Sequence, residues 1–382
     1  MAFVKRYKTL LFFALATLAM VLMILFGLSY NIDFGLNQME NVTYPSARVL
    51  EVLSDETVVD DHGIRRGRQD LRVEITSGPH RGRIVNAQNT LFVDAPIYAQ
   101  PGSRLILFFD YAEGDLSYQA RVHTYERATG IYLMVALFLA ILVLVSGKSG
   151  LRAAFGLIFT FVSILFLLIP AISQGAPPAL LTLGLSIVIT AVSLIALMGF
   201  TRKTWISIAG TLIGIGFYGI SYLLISWVLQ VNGFNIPEMS VLITIGFMGN
   251  IGISELLFCG ILIASLGAVM DTAVSVASAT AELGVDGASL FRDLFRKSMT
   301  VARDCIGSSA NTLILAFTGT FFVTLVLFRL NNFDYHMIIH RADIAVEVLR
   351  AISASIGMVL CGPATALIGS RIYAAKDTLP SK

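Results

Sequence analysis

A row of polar side chains lies inside an apolar stretch of the sequence. Asp271, Ser275 and Ser278 follow an i, i+4, i+7 spacing, which places them on one face of an α-helix. The residues from 259 to 270 are almost all apolar or small. A carboxylate at the centre of a membrane costs about 2.5–3.5 kcal/mol, so it should face protein or water. Binding and releasing a proton or a cation is the chemistry that such a group supports.

A second polar row lies in the next apolar segment. Asp304, Ser308 and Asn311 repeat the same spacing, and Thr312 follows directly. Since lipid can satisfy neither row, we expect the two rows to face each other on neighbouring helices, with Asp271 level with Ser308, Asn311 and Thr312. The candidate transport or relay residues are therefore Asp271, Ser275, Ser278, Asp304, Ser308, Asn311 and Thr312.

Each of these side chains also has a structural interpretation. Asp271 can be a protonated or hydrogen-bonded carboxyl that holds two helices together. The hydroxyl and amide groups can serve as hydrogen-bonding groups between helices rather than as ligands. The sequence contains no H-E-x-x-H, G-x-S-x-G or Walker motif. We therefore expect no enzyme activity and no catalytic, cofactor-binding or metal-binding residues.

The composition indicates an integral membrane protein. Of 382 residues, 56% are hydrophobic and 14% are charged, and the mean hydropathy is +0.77. A net charge of +2 gives no bulk attraction to nucleic acid. The three cysteines lie in or beside apolar segments, which argues against a disulfide framework.

Apolar segments of suitable length predict a membrane α-helical bundle with about eight transmembrane helices. The predicted spans are residues 10–28, 131–145, 154–169, 179–199, 206–228, 256–277, 308–327 and 346–368. The segment from Met239 to Met248 is short and contains glycine, so it is either a re-entrant segment or a ninth span.

Between the first two predicted helices lies a polar region with short β-type runs and frequent turn residues. This pattern is typical of a small antiparallel barrel, and we predict an all-β domain of the OB-like type. The predicted domains are an anchor helix (1–30), the extracytoplasmic β domain (31–128), a seven-helix membrane domain (129–373) and a cytoplasmic tail (374–382).

Basic residues predict the orientation in the membrane. Loops on the side of the N-terminus are rich in Lys and Arg, as at Lys148 and Arg202, whereas two short loops on the other side carry none. The positive-inside rule then places both termini in the cytoplasm. In residues 290–299, apolar side chains share one helical face and charged side chains lie on the opposite face. This pattern predicts an amphipathic helix at the cytoplasmic surface.

Three segments, residues 266–283, 302–319 and 342–368, resemble the YibE/F family of bacterial multi-pass membrane proteins. The turn Gly-Lys-Ser-Gly-Leu-Arg that ends at Arg152 also fits, whereas the run Cys-Ile-Gly-Ser-Ser after Asp304 departs from the family pattern. The resemblance implies a permease of undefined substrate in the bacterial cytoplasmic membrane. The helix around Asp271 is also similar to proton-relay helices of RND-type and SecD/SecF-type translocases.

Two functions are consistent with these features. The first is a proton- or cation-coupled secondary transporter with Asp271 as intramembrane relay and an external β domain that receives or hands over substrate. The second is a non-transporting membrane scaffold whose external β domain recruits a partner. The expected partners are membrane lipid, a small molecule or ion and, through the β domain, a protein. An oligomer is compatible with the sequence, and nucleic acid is not an expected partner.

Overall fold

The computed structural model describes residues 2–29, 42–92, 97–111, 118–232, 234, 253–284 and 290–374. The chain divides into two compact units. One consists of Asp33–Ile141, and the other combines Met1–Ile32 with Leu142–Lys382. The segment from Met239 to Met248, predicted to be re-entrant or a ninth span, lies outside the described residues.

Long apolar helices dominate the second unit. In the described part of the chain, seven helical regions are long and apolar enough to cross a membrane. This confirms the prediction of a helical membrane protein. The α-helices are α1 (Ala2–Ser29), α2 (Ala128–Ser163), α3 (Ile169–Ser173), α4 (Pro178–Met198), α5 (Arg202–Leu229), α6 (Ile253–Leu283), α7 (Phe291–Leu330), α8 (Tyr335–Ile339) and α9 (Ala342–Tyr373), and a π-helical turn at Ile164–Leu168 joins α2 to α3.

Helix α2 contains a sharp break. Together with the π turn and α3 it forms an apolar region of 46 residues, Ala128–Ser173, or about 69 Å of helix against a hydrocarbon thickness of about 30 Å. The backbone at Gly147 is not helical (φ 55°, ψ −131°). Just beyond it, Gly150 lies so close to the carbonyl of Leu142 that no Cβ could be accommodated. The region therefore consists of two helices that meet at Gly147, and the predicted spans 131–145 and 154–169 lie on either side of this break.

Helix α9 is the central packing partner of the membrane unit and packs against α5, α6 and α7. It approaches α5 closely at a pair of glycines. A Cβ on Gly357 would lie 2.9 Å from the carbonyl oxygen of Gly214 and 2.8 Å from Cβ of Tyr218. Tyr218 is fully buried and donates a hydrogen bond to the carbonyl of Phe258 in α6 (2.8 Å). Glycine at the crossing thus allows close backbone contact, as in many membrane helix pairs.

The predicted amphipathic helix at residues 290–299 is not a separate surface helix. It forms the first turns of α7, which continues without interruption to Leu330. Leu294 is completely buried, and Phe295 and Met299 pack against a cluster that contains Val276 of α6. Neighbouring helices therefore cover part of the apolar face of the predicted amphipathic helix, whereas Leu290 and Phe291 on the same face are exposed.

The other unit contains a mixed β-sheet. Its strands are β1 (Val42–Thr43), β2 (Ser46–Asp55), β3 (Val58–Val59), β4 (Arg65–Ile75), β5 (Ile84–Leu91), β6 (Arg104–Tyr111) and β7 (Tyr118–Tyr125). Five of them close into a ring in the order β2-β4-β5-β7-β6, with β6 pairing again with β2. The prediction of a purely antiparallel barrel is wrong at one pairing, because β5 and β7 pair in parallel at Gln88 and Arg121.

Alternating side chains build the interior of this ring. Leu71, Val73 and Ile75 of β4 are completely buried, while the residues between them are more exposed. Leu105 and Leu107 of β6 are buried in the same way. The period of two is that of strands with one face on the core. The buried side chains, Phe109 among them, form an apolar interior.

Two buried amides fasten the segment before β6 to the ring. Asn89 donates hydrogen bonds to the carbonyl of Ile97 (2.6 Å) and to Oε1 of Gln69 (2.9 Å). The same Oε1 accepts from the amide of Ala99 (3.0 Å). Gln69 and Asn89 are both fully enclosed, so their mutual pairing removes the penalty for burying polar groups.

Candidate functional site

A cavity of about 550 Å³ lies among α2, α4 and α6. Its wall is mostly apolar and includes Phe161 of α2, Leu185 of α4 and Met270 of α6. Asp271 is the single ionisable side chain among the described residues that line it. An apolar pocket with one carboxylate and a few hydroxyl groups has the composition expected of a ligand site.

The packing of α6 places Asp271 in this wall. Val269, Ala273 and Val276 are fully buried and form the face of α6 that packs on its neighbours. Asp271 is two residues from both Val269 and Ala273, which corresponds to about 200° around the helix. Burial of the apolar face therefore turns Asp271 away from the core and toward the cavity, where its side chain is exposed.

Asp271 makes no hydrogen bond or ion pair with another residue in the described ranges. Around it, the ends of α6 are fixed by two other carboxylates. Glu255 accepts a hydrogen bond from the amide of Ala179 at the start of α4 (2.9 Å). At the opposite end, Glu282 pairs with Lys203 of α5 (2.6 Å). These contacts hold α6 against α4 and α5 and leave the central carboxylate free.

The π-helical turn forms another part of the wall. Ile164 and Leu168, at its two ends, both line the cavity. Pro170 lies two residues after the turn and has no amide hydrogen, so it cannot donate the i→i−4 hydrogen bond of a regular helix. On its other side the turn packs on α1, where a Cβ on Gly27 would lie 2.9 Å from the carbonyl of Phe166. Such π turns occur frequently at functional sites.

Hydroxyl groups on α2 and α4 complete the polar part of the wall. Thr160 and Ser186 donate to carbonyls of their own helices, at 2.9 Å and 2.7 Å. The hydroxyl of Ser193 is buried and has no hydrogen-bond partner among the described residues. It lies beside Gly156, where an added Cβ would be 3.4 Å from the Ser193 oxygen. A buried hydroxyl that no group pairs with costs about 1–3 kcal/mol, a cost that a bound water molecule or ligand would remove.

The remaining predicted residues lie elsewhere. Ser275 continues the face of Asp271 and is exposed, while Ser278 is half-buried; neither lines the cavity. The row on α7 is exposed throughout. Thr312 donates to the carbonyl of Ser308 within α7 (3.0 Å). The exposed residues of this row are Asp304, Ser308, Asn311 and Thr312.

The expectation that the two polar rows face each other is wrong. The contact between α6 and α7 is filled by apolar side chains, including Val269 and Ala273 of α6 and Leu313 of α7. Met358 of α9 belongs to the same cluster. Because both helices pack their apolar faces on α9, both polar rows turn away from the interface.

The polar contribution of α4 was missed by the sequence-based prediction. Thr182, Ser186 and Ser193 share one helical face, since they follow an i, i+4, i+11 spacing, and all three line the cavity. This spacing was the available signal. It is weak because serine and threonine in apolar helices usually bond to their own backbone, as Ser186 does.

No curated protein and no solved structure matches the chain. The family model described as "YibE/F-like protein" matches residues 134–375. This match covers more than half of the chain and includes every residue that lines the cavity. The chain therefore belongs to the YibE/F-like protein family.

Proposed function

We propose that this chain is a secondary transporter of the bacterial cytoplasmic membrane, coupled to a proton or another cation, in which Asp271 is the exchanging carboxylate. The observation that carries the proposal is the position of Asp271 in the wall of an apolar cavity between three membrane-length helices. The resemblance of the helix around Asp271 to proton-relay helices supports the same role.

The physical basis is the change in charge of one side chain in apolar surroundings. A neutral carboxyl is compatible with the apolar wall, whereas a carboxylate requires a cation or water beside it. Exchange at Asp271 therefore favours different arrangements of α2, α4 and α6. The break at Gly147 and the π turn at Ile164–Leu168 are the points in the region Ala128–Ser173 where the helix is irregular and can bend most easily.

The other candidate residues take different roles in this proposal. Ser275 and Ser278 extend the face of Asp271 toward Glu282 and offer hydroxyl groups for proton movement to that end of α6. The α7 row, from Asp304 to Thr312, is exposed and separated from the cavity. We assign it to contact with protein in the membrane, because lipid cannot satisfy its hydrogen bonds.

We further propose that the β unit is an OB-like domain on the outer side of the membrane that receives or hands over substrate. The ring order β2-β4-β5-β7-β6 with its single parallel pair supports this assignment. A polar depression of about 550 Å³ on this unit contains Arg68 and Arg121. Arg68 is held by Asp70 (3.0 Å), so the depression offers groups of both charges.

The test uses purified full-length chain in liposomes and a pH-sensitive dye to follow proton flux under an imposed membrane potential. We expect Asp271→Asn to reduce the flux at least about tenfold, which corresponds to about 1.4 kcal/mol. Asp293→Asn is the matched control, because it removes an exposed carboxylate that lies outside the cavity. Equal fluxes for the unsubstituted chain and Asp271→Asn, at equal reconstituted amounts, would contradict the role of Asp271.

A non-transporting scaffold is the second candidate, and the exposed polar row on α7 favours it. Ser308, Asn311 and Thr312 lie in a membrane-length helix yet face away from the bundle. A partner protein in the membrane would satisfy them. Absence of any flux by the unsubstituted chain, combined with a membrane protein that co-purifies in a fixed ratio, would favour this function.

A further inference from the structure

We propose that the cavity around Asp271 binds lipophilic organic cations, molecules that carry one positive charge within a mostly hydrocarbon or aromatic body. This proposal names a substrate class for the same cavity and rests on the transport function proposed above. Binding itself, however, is measured separately from transport.

The size of the cavity argues against a bare ion as its main ligand. At about 550 Å³ it falls within the range of small-molecule pockets, about 300–1,000 Å³. A water molecule occupies only about 30 Å³ of liquid volume, so a hydrated proton would leave most of the space empty. A ligand with several rings or a long apolar chain fits the available volume.

The polar groups also argue against a metal ion. Hard cations require about six to eight oxygen ligands. The wall offers one carboxylate, Asp271, and hydroxyl groups such as those of Thr160 and Ser193. This set cannot replace the hydration shell of a metal ion. A cation whose charge is spread over a large organic body is weakly hydrated and loses less on leaving water.

The wall selects for positive charge. Lys, Arg and His are absent from the described residues that line the cavity, so Asp271 determines the sign of the potential. Phe161 provides an aromatic ring that can attract a cation, and Met270 provides an adaptable thioether. Apolar contact favours the body of the ligand by about 25 cal/mol per Å² buried. Together these groups favour an amphipathic cation over a neutral or anionic molecule of the same shape.

The test compares two probes of the same shape and opposite charge. Tetraphenylphosphonium and tetraphenylborate are titrated against full-length chain in nanodiscs, and empty nanodiscs correct for partitioning into lipid. We expect saturable binding of tetraphenylphosphonium and none of tetraphenylborate. Asp271→Asn should weaken cation binding at least about tenfold, while Asp293→Asn, at an exposed carboxylate outside the cavity, should leave it unchanged.

A second variant tests the location without changing charge. Gly267 lines the cavity, and a Cβ added there meets nothing within 4 Å. Gly267→Leu should therefore fill part of the space, fold normally and weaken tetraphenylphosphonium binding. Thermal unfolding and gel filtration of each variant establish that the fold is retained.

The outcomes separate this inference from the proposed transport. Equal binding of both probes, or undiminished cation binding by Asp271→Asn and Gly267→Leu, would overturn the inference. Proton flux that depends on Asp271 without any binding of tetraphenylphosphonium would also overturn it, while the transport function would stand. Binding of tetraphenylphosphonium that requires Asp271, in a chain that moves no protons or cations, would support the binding site and reject the transport function.

Discussion

At the scale of the residue, the proton affinity of a carboxylate depends on the groups that surround it. Asp271 lies in an apolar wall without a partner among the described residues. Asp55, at the end of β2, is surrounded by donors instead. It accepts hydrogen bonds from the Thr57 hydroxyl (2.6 Å) and amide, and from Tyr98 (2.9 Å) and Gln69 (3.2 Å). The hydrogen bond from the Thr57 side chain contributes most and lowers the pKa of Asp55 to about 2.

This environment predicts a pH dependence for the β unit. Because the pKa of Asp55 is lower in the folded chain than its ordinary value of 3.8, its ionised form stabilises the fold above that pH. The contribution should be lost as pH falls from about 4 toward about 2. We therefore expect Asp55→Asn to speed amide hydrogen exchange around Ala99 relative to the unsubstituted chain at pH 5–8. The difference should shrink below pH 4.

Hydrogen-exchange mass spectrometry at matched pH values measures this difference, since the intrinsic exchange rate is the same for both chains. Thr57→Val provides a second variant, because it removes the strongest donor and keeps the carboxylate. At neutral pH, the rate of amide exchange around Ala99 in Thr57→Val should lie between the rates in the other two chains. A difference between Asp55→Asn and the unsubstituted chain that stays constant down to pH 2 would contradict the interpretation.

At the scale of the element, helix packing depends on a few positions without side chains. Gly214 of α5 is enclosed on three sides. A Cβ there would lie 2.7 Å from Val269 of α6, 2.9 Å from Cys361 of α9 and 3.0 Å from the carbonyl of Gly357. Gly216 lies two residues further along α5, about 200° around the helix. A Cβ added there would have nothing within 4 Å. The two glycines therefore differ in environment while sharing a helix.

Alanine substitutions should separate these two environments. We expect Gly214→Ala to destabilise the bundle by about 1–3 kcal/mol, because the surrounding backbone cannot move away freely. Gly216→Ala should be neutral or slightly stabilising, since alanine favours helix over glycine by about 1 kcal/mol. Thermal unfolding in detergent, followed by tryptophan fluorescence, measures both. Equal effects of the two substitutions would contradict the proposed close approach of α5, α6 and α9.

The elements were more predictable from the sequence than their relative orientation. The spacing of Asp271, Ser275 and Ser278 correctly indicated one face of a helix, because that pattern depends only on local geometry. Which neighbour that face meets depends on contacts distant in sequence. Ala273 packs with Leu313 and with residues of α9, and this three-helix contact turns Asp271 toward α2 and α4. No local pattern around Asp271 contains that information.

At the scale of the whole molecule, we expect the break at Gly147 to set how often the chain crosses a membrane. If α2 turns back there, its two halves cross separately, and both termini lie on the same side, as the distribution of basic residues predicts. Lys148 then faces the cytoplasm, and Gln174, at the end of α3, faces the outside.

Cysteine labelling distinguishes the two sides. We expect a membrane-impermeant maleimide to label Gln174→Cys on intact spheroplasts, and to label Lys148→Cys only after the membrane is opened. The unsubstituted chain is the control, because Cys259 and Cys361 are buried and Cys305 is half-buried. Labelling of both substituted positions from the same side of the membrane would mean that α2 does not form a hairpin.

The outward row on α7 has a consequence for how the protein exists in a cell. A single copy in a bilayer would expose the Asn311 amide and the hydroxyl groups of Ser308 and Thr312 to acyl chains. Arg303 and Asp304 are neighbours on this exposed surface, so a twofold-related copy can offer each charge its opposite. We expect the native protein to be such a dimer. Extraction from the membrane that separates the two copies should yield chains that aggregate.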